Sequence, residues 1–96
     1  MQEFVLIAYD GTDADAPARR MAARPAHLEN VRQLKARGQF TEGGAVLNEA
    51  GAMIGSVMIV AFPSRDALDA WLAGDPYVTG KVWERIQVQP YRSAQV

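Results

Sequence analysis

The chain has no cysteine, and its single histidine is at position 27. Without thiols there is no disulfide framework and no thiolate chemistry, a usage that fits a reducing compartment. One imidazole without cysteine does not build a structural zinc site, and the acidic residues show no EF-hand spacing, so no metal is expected. Concentrated positive charge is missing as well: ten Lys and Arg stand against eleven Asp and Glu, for a net charge of −1. Nucleic acid is therefore not an expected partner, because phosphate backbones are held by clustered cations that release counterions. The one local cluster, Arg19, Arg20 and Arg24, is too short to track a duplex and reads as polar surface able to steer an anionic ligand. Long apolar runs are also absent. The N-terminal run Phe4-Val5-Leu6-Ile7-Ala8 has strand length, far below the roughly 20 residues of a membrane span, and no basic leader or cleavage site accompanies it. These absences point to a cytoplasmic protein with no membrane partner, organised as one domain over residues 1–96.

With 49% hydrophobic and 22% charged residues, the composition is that of an ordinary globular chain, and its pattern resolves into six elements. Residues 2–10 read as a strand with apolar residues in both alternating sets, Phe4/Leu6/Ala8 and Val5/Ile7/Tyr9, so both faces need cover. Residues 16–37 carry a helical pattern that Pro25 interrupts, which predicts two helical pieces or a kink. Pro25 would open the second piece, with His27 in its first turn near one end of the helical layer, on a stripe with Val31 and Leu34. Residues 39–47 alternate weakly around Gly43-Gly44, the mark of a bulge or of a close approach to the backbone. A turn at Asn48-Gly51 leads into a strand over 52–62, with Ser56/Met58/Val60/Phe62 on one face and Val57/Ile59/Ala61 on the other. Ser64 caps a second helix that ends near Gly74, Asp75-Pro76-Tyr77 forms its exit loop, and residues 81–91 give a last strand. In that strand Val82, Ile86 and Val88 fall on one face and Trp83, Arg85, Gln87 and Gln89 on the other. The order β-α-β-β-α-β specifies an α+β, ferredoxin-like fold, an antiparallel sheet with two helices on one face. The uncovered apolar face predicts a homodimer in which two sheets pack across a two-fold axis.

His27 is the natural candidate for general acid or base work, since histidine alone has an unperturbed pKa, about 6.5, that allows proton exchange near neutrality without large tuning. The competing reading is a packed histidine satisfied by a backbone carbonyl. Asp75, just past a helix C-terminus, gains nothing from that helix dipole, so it either partners another group or serves an Asp-Pro turn. If it accepts one ring N–H of His27, the other nitrogen is left for a ligand. Arg24 can hold an anionic group, Ser56 can orient a ligand, and Tyr77 and Tyr9 can line a pocket. Gly43-Gly44 is no phosphate loop, but Gly44 marks a point where a ligand can approach the backbone.

The ordered set Arg24-Pro25-Ala26-His27-Leu28, Gly43-Gly44, Gly55-Ser56, Phe62-Pro63-Ser64, Ala70-Trp71, Asp75-Pro76-Tyr77-Val78 and Val88-Gln89-Pro90-Tyr91 resembles the YciI-like, or YCII-related, proteins over essentially the whole chain. The resemblance implies a ferredoxin-like fold that dimerises as a dimeric α/β barrel. It also implies a site in which a helix histidine and the aspartate of the Asp-Pro loop, His27 and Asp75 here, form a dyad. Gly44-Ala45 departs from the Gly-Pro common in the family, which implies a less rigid pocket rim. Some relatives look like lyases or dehalogenating enzymes of aromatic breakdown.

Two functional expectations follow. One is a cofactor-independent acid/base enzyme of lyase, dehydrohalogenase or isomerase type, acting on a small aromatic or carbonyl-containing metabolite, with His27 and Asp75 catalytic and Arg24, Ser56, Tyr77 and Gly44 holding the ligand. The other is a non-catalytic dimeric module that binds a small metabolite or a protein partner in the same cleft.

Overall fold

A computed structural model describes all residues from Met1 to Val96. Strand β1 (Gln2–Asp10) leads into α1 (Ala16–Ala36), then β2 (Phe40–Leu47), β3 (Met53–Phe62), α2 (Arg65–Gly74), the short α3 (Pro76–Thr79) and β4 (Trp83–Pro90). The four strands form one antiparallel sheet in the order β2-β3-β1-β4. This is the ferredoxin-like arrangement, with one turn of helix added where the exit loop was expected. No helix is long and apolar enough to cross a membrane.

The alternation in β1 decides which face is covered. Phe4, Leu6, Ala8 and Asp10 are buried beneath the helices, whereas Val5 and Ile7 are only half-buried and Tyr9 is exposed. Met58, Val60 and Phe62 of β3 join the buried set, and Leu34, Leu68 and Leu72 close it from α1 and α2. Each such side chain contributes roughly 1.5–3 kcal/mol on full burial, so this layer is the main cohesive element of a small core. Ser64 starts α2 by accepting from the Ala67 N–H at 3.1 Å. Gly38, with φ +72°, follows α1 and lets the Gln39 N–H reach the Leu34 carbonyl at 2.9 Å.

Two expectations need correction. First, α1 runs unbroken through Pro25. Proline removes one intrahelical hydrogen bond to the carbonyl of Met21, but Pro25, Ala26 and Met21 all lie on the exposed side, where water replaces it. His27 consequently sits in the middle of a 21-residue helix and not in a first turn. Second, Trp83 shares a face with Val88. The β1–β4 register shifts between Tyr9, opposite Arg85, and Asp10, opposite Trp83. The extra residue, Glu84, reverses the alternation, and Trp83 turns in under the helices at 6% exposure.

Candidate active site

The buried stripe of α1 recurs at helical spacing: Ala16, Arg20, Ala23, His27, Val31 and Leu34. Two of these side chains, Arg20 and His27, are polar, and each is matched by a buried acceptor from another element.

For His27 the acceptor is Asp75. At the end of α2 the chain becomes extended at Asp75 (φ −72°, ψ 136°) and turns into α3. Pro76 occupies the first helical position, where its missing N–H is no loss, so the next free donor is the Tyr77 N–H, which the Asp75 carboxylate accepts at 3.0 Å. The same oxygen lies 2.8 Å from His27 Nδ1, and the other oxygen accepts from Asn30 Nδ2 at 2.8 Å. Asp75 therefore serves its own turn and a distant helix at once. Its side chain has no solvent exposure, and three donors replace the water that a buried carboxylate requires. A carboxylate only accepts, so in the neutral ring the hydrogen between the two groups resides on Nδ1 and the lone pair on Nε2. The His27 ring stacks on Tyr77 (centroids 3.8 Å apart, planes at 10°) and meets Trp83 edge-on at 5.6 Å. Burial pushes the Tyr77 phenol above its usual pKa of 10, against the nearby charges of Arg20 and Arg24, so it remains a neutral hydroxyl near pH 7.

For Arg20 the acceptor is Asp10. Nη1 reaches both Asp10 oxygens, at 2.9 and 3.0 Å, with both side chains about 95% buried. Nη2 donates to Ser56 Oγ at 3.0 Å, and the Trp83 indole N–H donates to that same oxygen at 3.1 Å. The Arg20 guanidinium also lies 4.8 Å from the centre of the Tyr77 ring, which joins the two polar clusters. Arg20 Nε is buried without a partner.

A cavity of about 100 Å³ opens between α1 and the sheet, with Arg24, His27, Phe40, Gly43, Ser56 and Tyr77 among its lining. Its charged side chains are both arginines, Arg20 and Arg24. Arg20 is neutralised by Asp10, and Arg24 makes no ion pair. A larger surface cavity of about 650 Å³ lies at the other side of Arg20, among Tyr9, Met21, Met53, Ile54 and Arg85, and contains neither His27 nor Asp75. The smaller cavity is the candidate site because His27 lines it. No group of three or more His, Asp or Glu side chains gathers in a metal-binding cluster.

Of the residues singled out from sequence, His27, Arg24, Ser56, Tyr77 and Gly44 line this cavity, and Asp75 stands behind His27. Tyr9 lines the other cavity. Gly44 has open space where a side chain would project; the constrained glycine is Gly43, over which the Phe40 ring packs. Arg20, which reads as surface in the sequence, is buried at 3% exposure. Its signal was its spacing, seven residues before His27 on the stripe, which a helix broken at Pro25 would have cut. Asp10 and Trp83 complete its cluster, and Asn30 completes the other.

The YCII-related domain family matches residues 2–92. The chain belongs to the YCII-related family. Among YCII-related relatives, Protein YciI of Escherichia coli O6:H1 is 35% identical over 95 residues, covering 93% of this chain and 95% of that protein. The YCII-related fold aligns with a solved 5-chloro-2-hydroxyhydroquinone dehydrochlorinase from Burkholderia phenoliruptrix, in complex with 2,5-dihydroxybenzoquinone, at a TM-score of 0.85 and 22% identity, covering 96% of this chain and 95% of that one. It also aligns with muconolactone isomerase at a TM-score of 0.68 and 16% identity, covering 98% of this chain and 91% of that one. At these identities the likeness to the two enzymes is one of fold.

Proposed function

We propose that this YCII-related protein is a cofactor-independent acid/base enzyme of lyase, dehydrohalogenase or isomerase type, working on a small metabolite that carries a carbonyl or a phenolic ring. The observation that carries the proposal is the saturation of Asp75. Its carboxylate takes three donors and no solvent, so it holds His27 Nδ1–H in place and leaves Nε2 as the base, on a ring that lines the cavity. His27 Nε2 takes a proton from a C–H beside a carbonyl or from a ring hydroxyl, and the electron pair passes into the enolate or phenolate. In an isomerisation the imidazolium returns the proton at another carbon. In a dehydrohalogenation the same electron pair forms the new π bond as halide departs, and the imidazolium keeps the proton. Arg24 draws in an anionic group at the mouth, Ser56 and Tyr77 contact the ligand, and the backbone at Gly44 forms the rim. The fold shared with a dehydrochlorinase and an isomerase supports this class of chemistry.

The working form is a homodimer. Val5, Ile7, Val57 and Ile59 lie on the sheet face that no helix covers, and a second copy packed on that face removes them from water.

The test is turnover. Purified protein is incubated with 5-chloro-2-hydroxyhydroquinone, read as chloride release, with muconolactone, and with small ketones and phenols in D₂O, read as hydrogen exchange by NMR. On any compound turned over, His27→Gln is expected to lose roughly 10²–10⁴-fold in rate, the usual contribution of a positioned base. Full turnover by a folded His27→Gln protein refutes the proposal. Binding without turnover of any of these compounds, at an affinity independent of pH, favours a non-catalytic module in the same cleft.

A further inference from the structure

The larger cavity, about 650 Å³, has no part in the proton-transfer reading, yet its size falls within the roughly 300–1,000 Å³ of small-molecule sites. It lies at the Asp10 end of the sheet, where the end of β1, the first turns of α1, the β2–β3 hairpin and the start of β4 meet. Three of the eight large hydrophobic side chains that the fold leaves exposed, Tyr9, Met21 and Ile54, converge on it, and Met53 adds a fourth apolar wall. Exposed apolar side chains scattered singly need no explanation. Gathered around one cavity, they mark a surface that an apolar body can cover.

The charges of the lining are matched at every residue but one. Asp10 is taken by Arg20 at 2.9 Å, and Asp13 by Arg19 at 2.7 Å. Glu84 faces the same Arg19: Glu84 Oε2 and Arg19 Nη2 lie 3.3 and 3.0 Å from the point where a side chain on Gly11 would begin. Arg85 is the lining cation that makes no ion pair. It stands opposite Tyr9 in the β1–β4 register, and its guanidinium lies over the Tyr9 ring, 5.1 Å from the centre. That contact positions the guanidinium without neutralising it, so its N–H donors remain available to an anion.

We infer that this cavity is a second ligand site, built for a medium-chain fatty carboxylate whose carboxylate pairs with Arg85 and whose chain lies along Tyr9 and Ile54 toward Met53 and Met21. The length follows from the sheet. From β4 across β1 to β3 is two inter-strand steps of about 4.8 Å, roughly 10 Å in all, which an extended chain of about eight to ten carbons spans. Methionine suits the far end, because its unbranched thioether adapts to an apolar ligand that has no fixed shape. Neither His27 nor Asp75 lines this cavity, so the site stands independently of the proton-transfer reading.

The four methionines supply the readout. Decanoate is titrated into the purified protein labelled with ¹³C at the methionine methyl groups, and the ¹H–¹³C signals are assigned with Met21→Leu and Met53→Leu. The Met21 and Met53 methyls are expected to shift saturably, whereas Met58, which lines the smaller cavity, stays in place. Arg85→Gln changes an exposed side chain and is expected to fold as wild type but to bind decanoate about tenfold more weakly, with Arg85→Lys losing less. Decanol, the same chain without the charge, is expected to bind wild type about tenfold more weakly than decanoate. His27→Gln is expected to bind decanoate as wild type does, so this test and the turnover test above succeed or fail separately. The inference is overturned if decanoate shifts neither Met21 nor Met53, if it shifts Met58 as strongly, or if Arg85→Gln or the exchange of decanoate for decanol leaves the affinity unchanged.

Discussion

Replacing Asp75 separates the two things its carboxylate does, and the consequences can be worked from its three partners. In Asp75→Ala, the Tyr77 N–H, Asn30 Nδ2 and His27 Nδ1 all lose their acceptor, the first and last of them buried and Asn30 half-buried. At roughly 1–3 kcal/mol for each unsatisfied group, the three together lose about 3–9 kcal/mol, a large share of the roughly 5–15 kcal/mol that holds a domain of this size. Asp75→Asn behaves differently. With the amide oxygen placed where it accepts from Tyr77 and His27, the amide NH₂ faces Asn30, and a flip of the half-buried Asn30 amide presents its oxygen in reply. All three contacts survive as neutral hydrogen bonds with about half the strength of charge-assisted ones, so the expected loss is about 1–2 kcal/mol. Urea unfolding monitored by circular dichroism distinguishes the cases. At an m-value of about 1–3 kcal/mol/M, Asp75→Asn lowers the midpoint by about 1 M, whereas Asp75→Ala lowers it by several molar or prevents folding. Combining Asp75→Asn with Asn30→Leu, which cannot reply to the amide, is expected to lose about 1–3 kcal/mol beyond the sum of the two single changes. If the Ala and Asn variants unfold within 1 kcal/mol of each other, Asp75 is not the three-donor acceptor described, and the argument for a fixed His27 fails with it.

Other expectations test separate parts of the structure. A methyl group at Gly43 would lie 2.8 and 2.9 Å from Phe40 ring carbons and 3.0 Å from the Val57 carbonyl oxygen, so Gly43→Ala is expected to lose about 1–3 kcal/mol, against less than about 0.5 kcal/mol for Gly44→Ala in open space; equal thermal stabilities would contradict this. The hydrogen bond from Arg19 lowers the Asp13 carboxyl from its usual 3.8 to about 2. Its folded-state value lies below its unfolded one, so its stabilisation is present above pH 4 and disappears as the pH falls through about 2. Asp13→Asn should therefore melt below wild type at pH 6 and converge with it near pH 2, and parallel melting curves would show that the pair contributes nothing. Light scattering should give twice the 10.5 kDa chain mass for wild type and the monomer mass for Ile7→Lys, which puts a charge on the uncovered sheet face; a wild-type monomer at micromolar concentration would refute that use of the face.

The sheet was legible because strand periodicity is local: the apolar residues in both alternating sets of β1 and β3 marked two faces in need of cover, although only the structure shows which of them the helices take. What escaped the sequence depended on context. Pro25 reads as a break because the chemistry of proline is local, yet its tolerance depends on facing water, which tertiary packing decides. Breaking the helix there also hid Arg20, whose seven-residue spacing from His27 marks it as buried only if the helix continues. Trp83 was placed on the wrong face because a single extra residue inverts a two-residue period, and nothing in Val82-Trp83-Glu84-Arg85 signals the bulge. Asp75 appeared as a choice between turn and partner. One oxygen serves both, because Pro76 makes Tyr77 the first free donor of α3 while the middle of α1 passes within reach. Asn30 had no signal beyond its polarity.

The central claim is that Asp75 holds the hydrogen of His27 on Nδ1 and leaves Nε2 as the base. Because His27 is the only histidine, a long-range ¹H–¹⁵N spectrum of the uniformly labelled protein contains one imidazole and needs no assignment by mutation. The account predicts, for the neutral ring, a protonated, pyrrole-like Nδ1 and a bare, pyridine-like Nε2; a neutral ring protonated on Nε2, or an even mixture of the two tautomers, would contradict it.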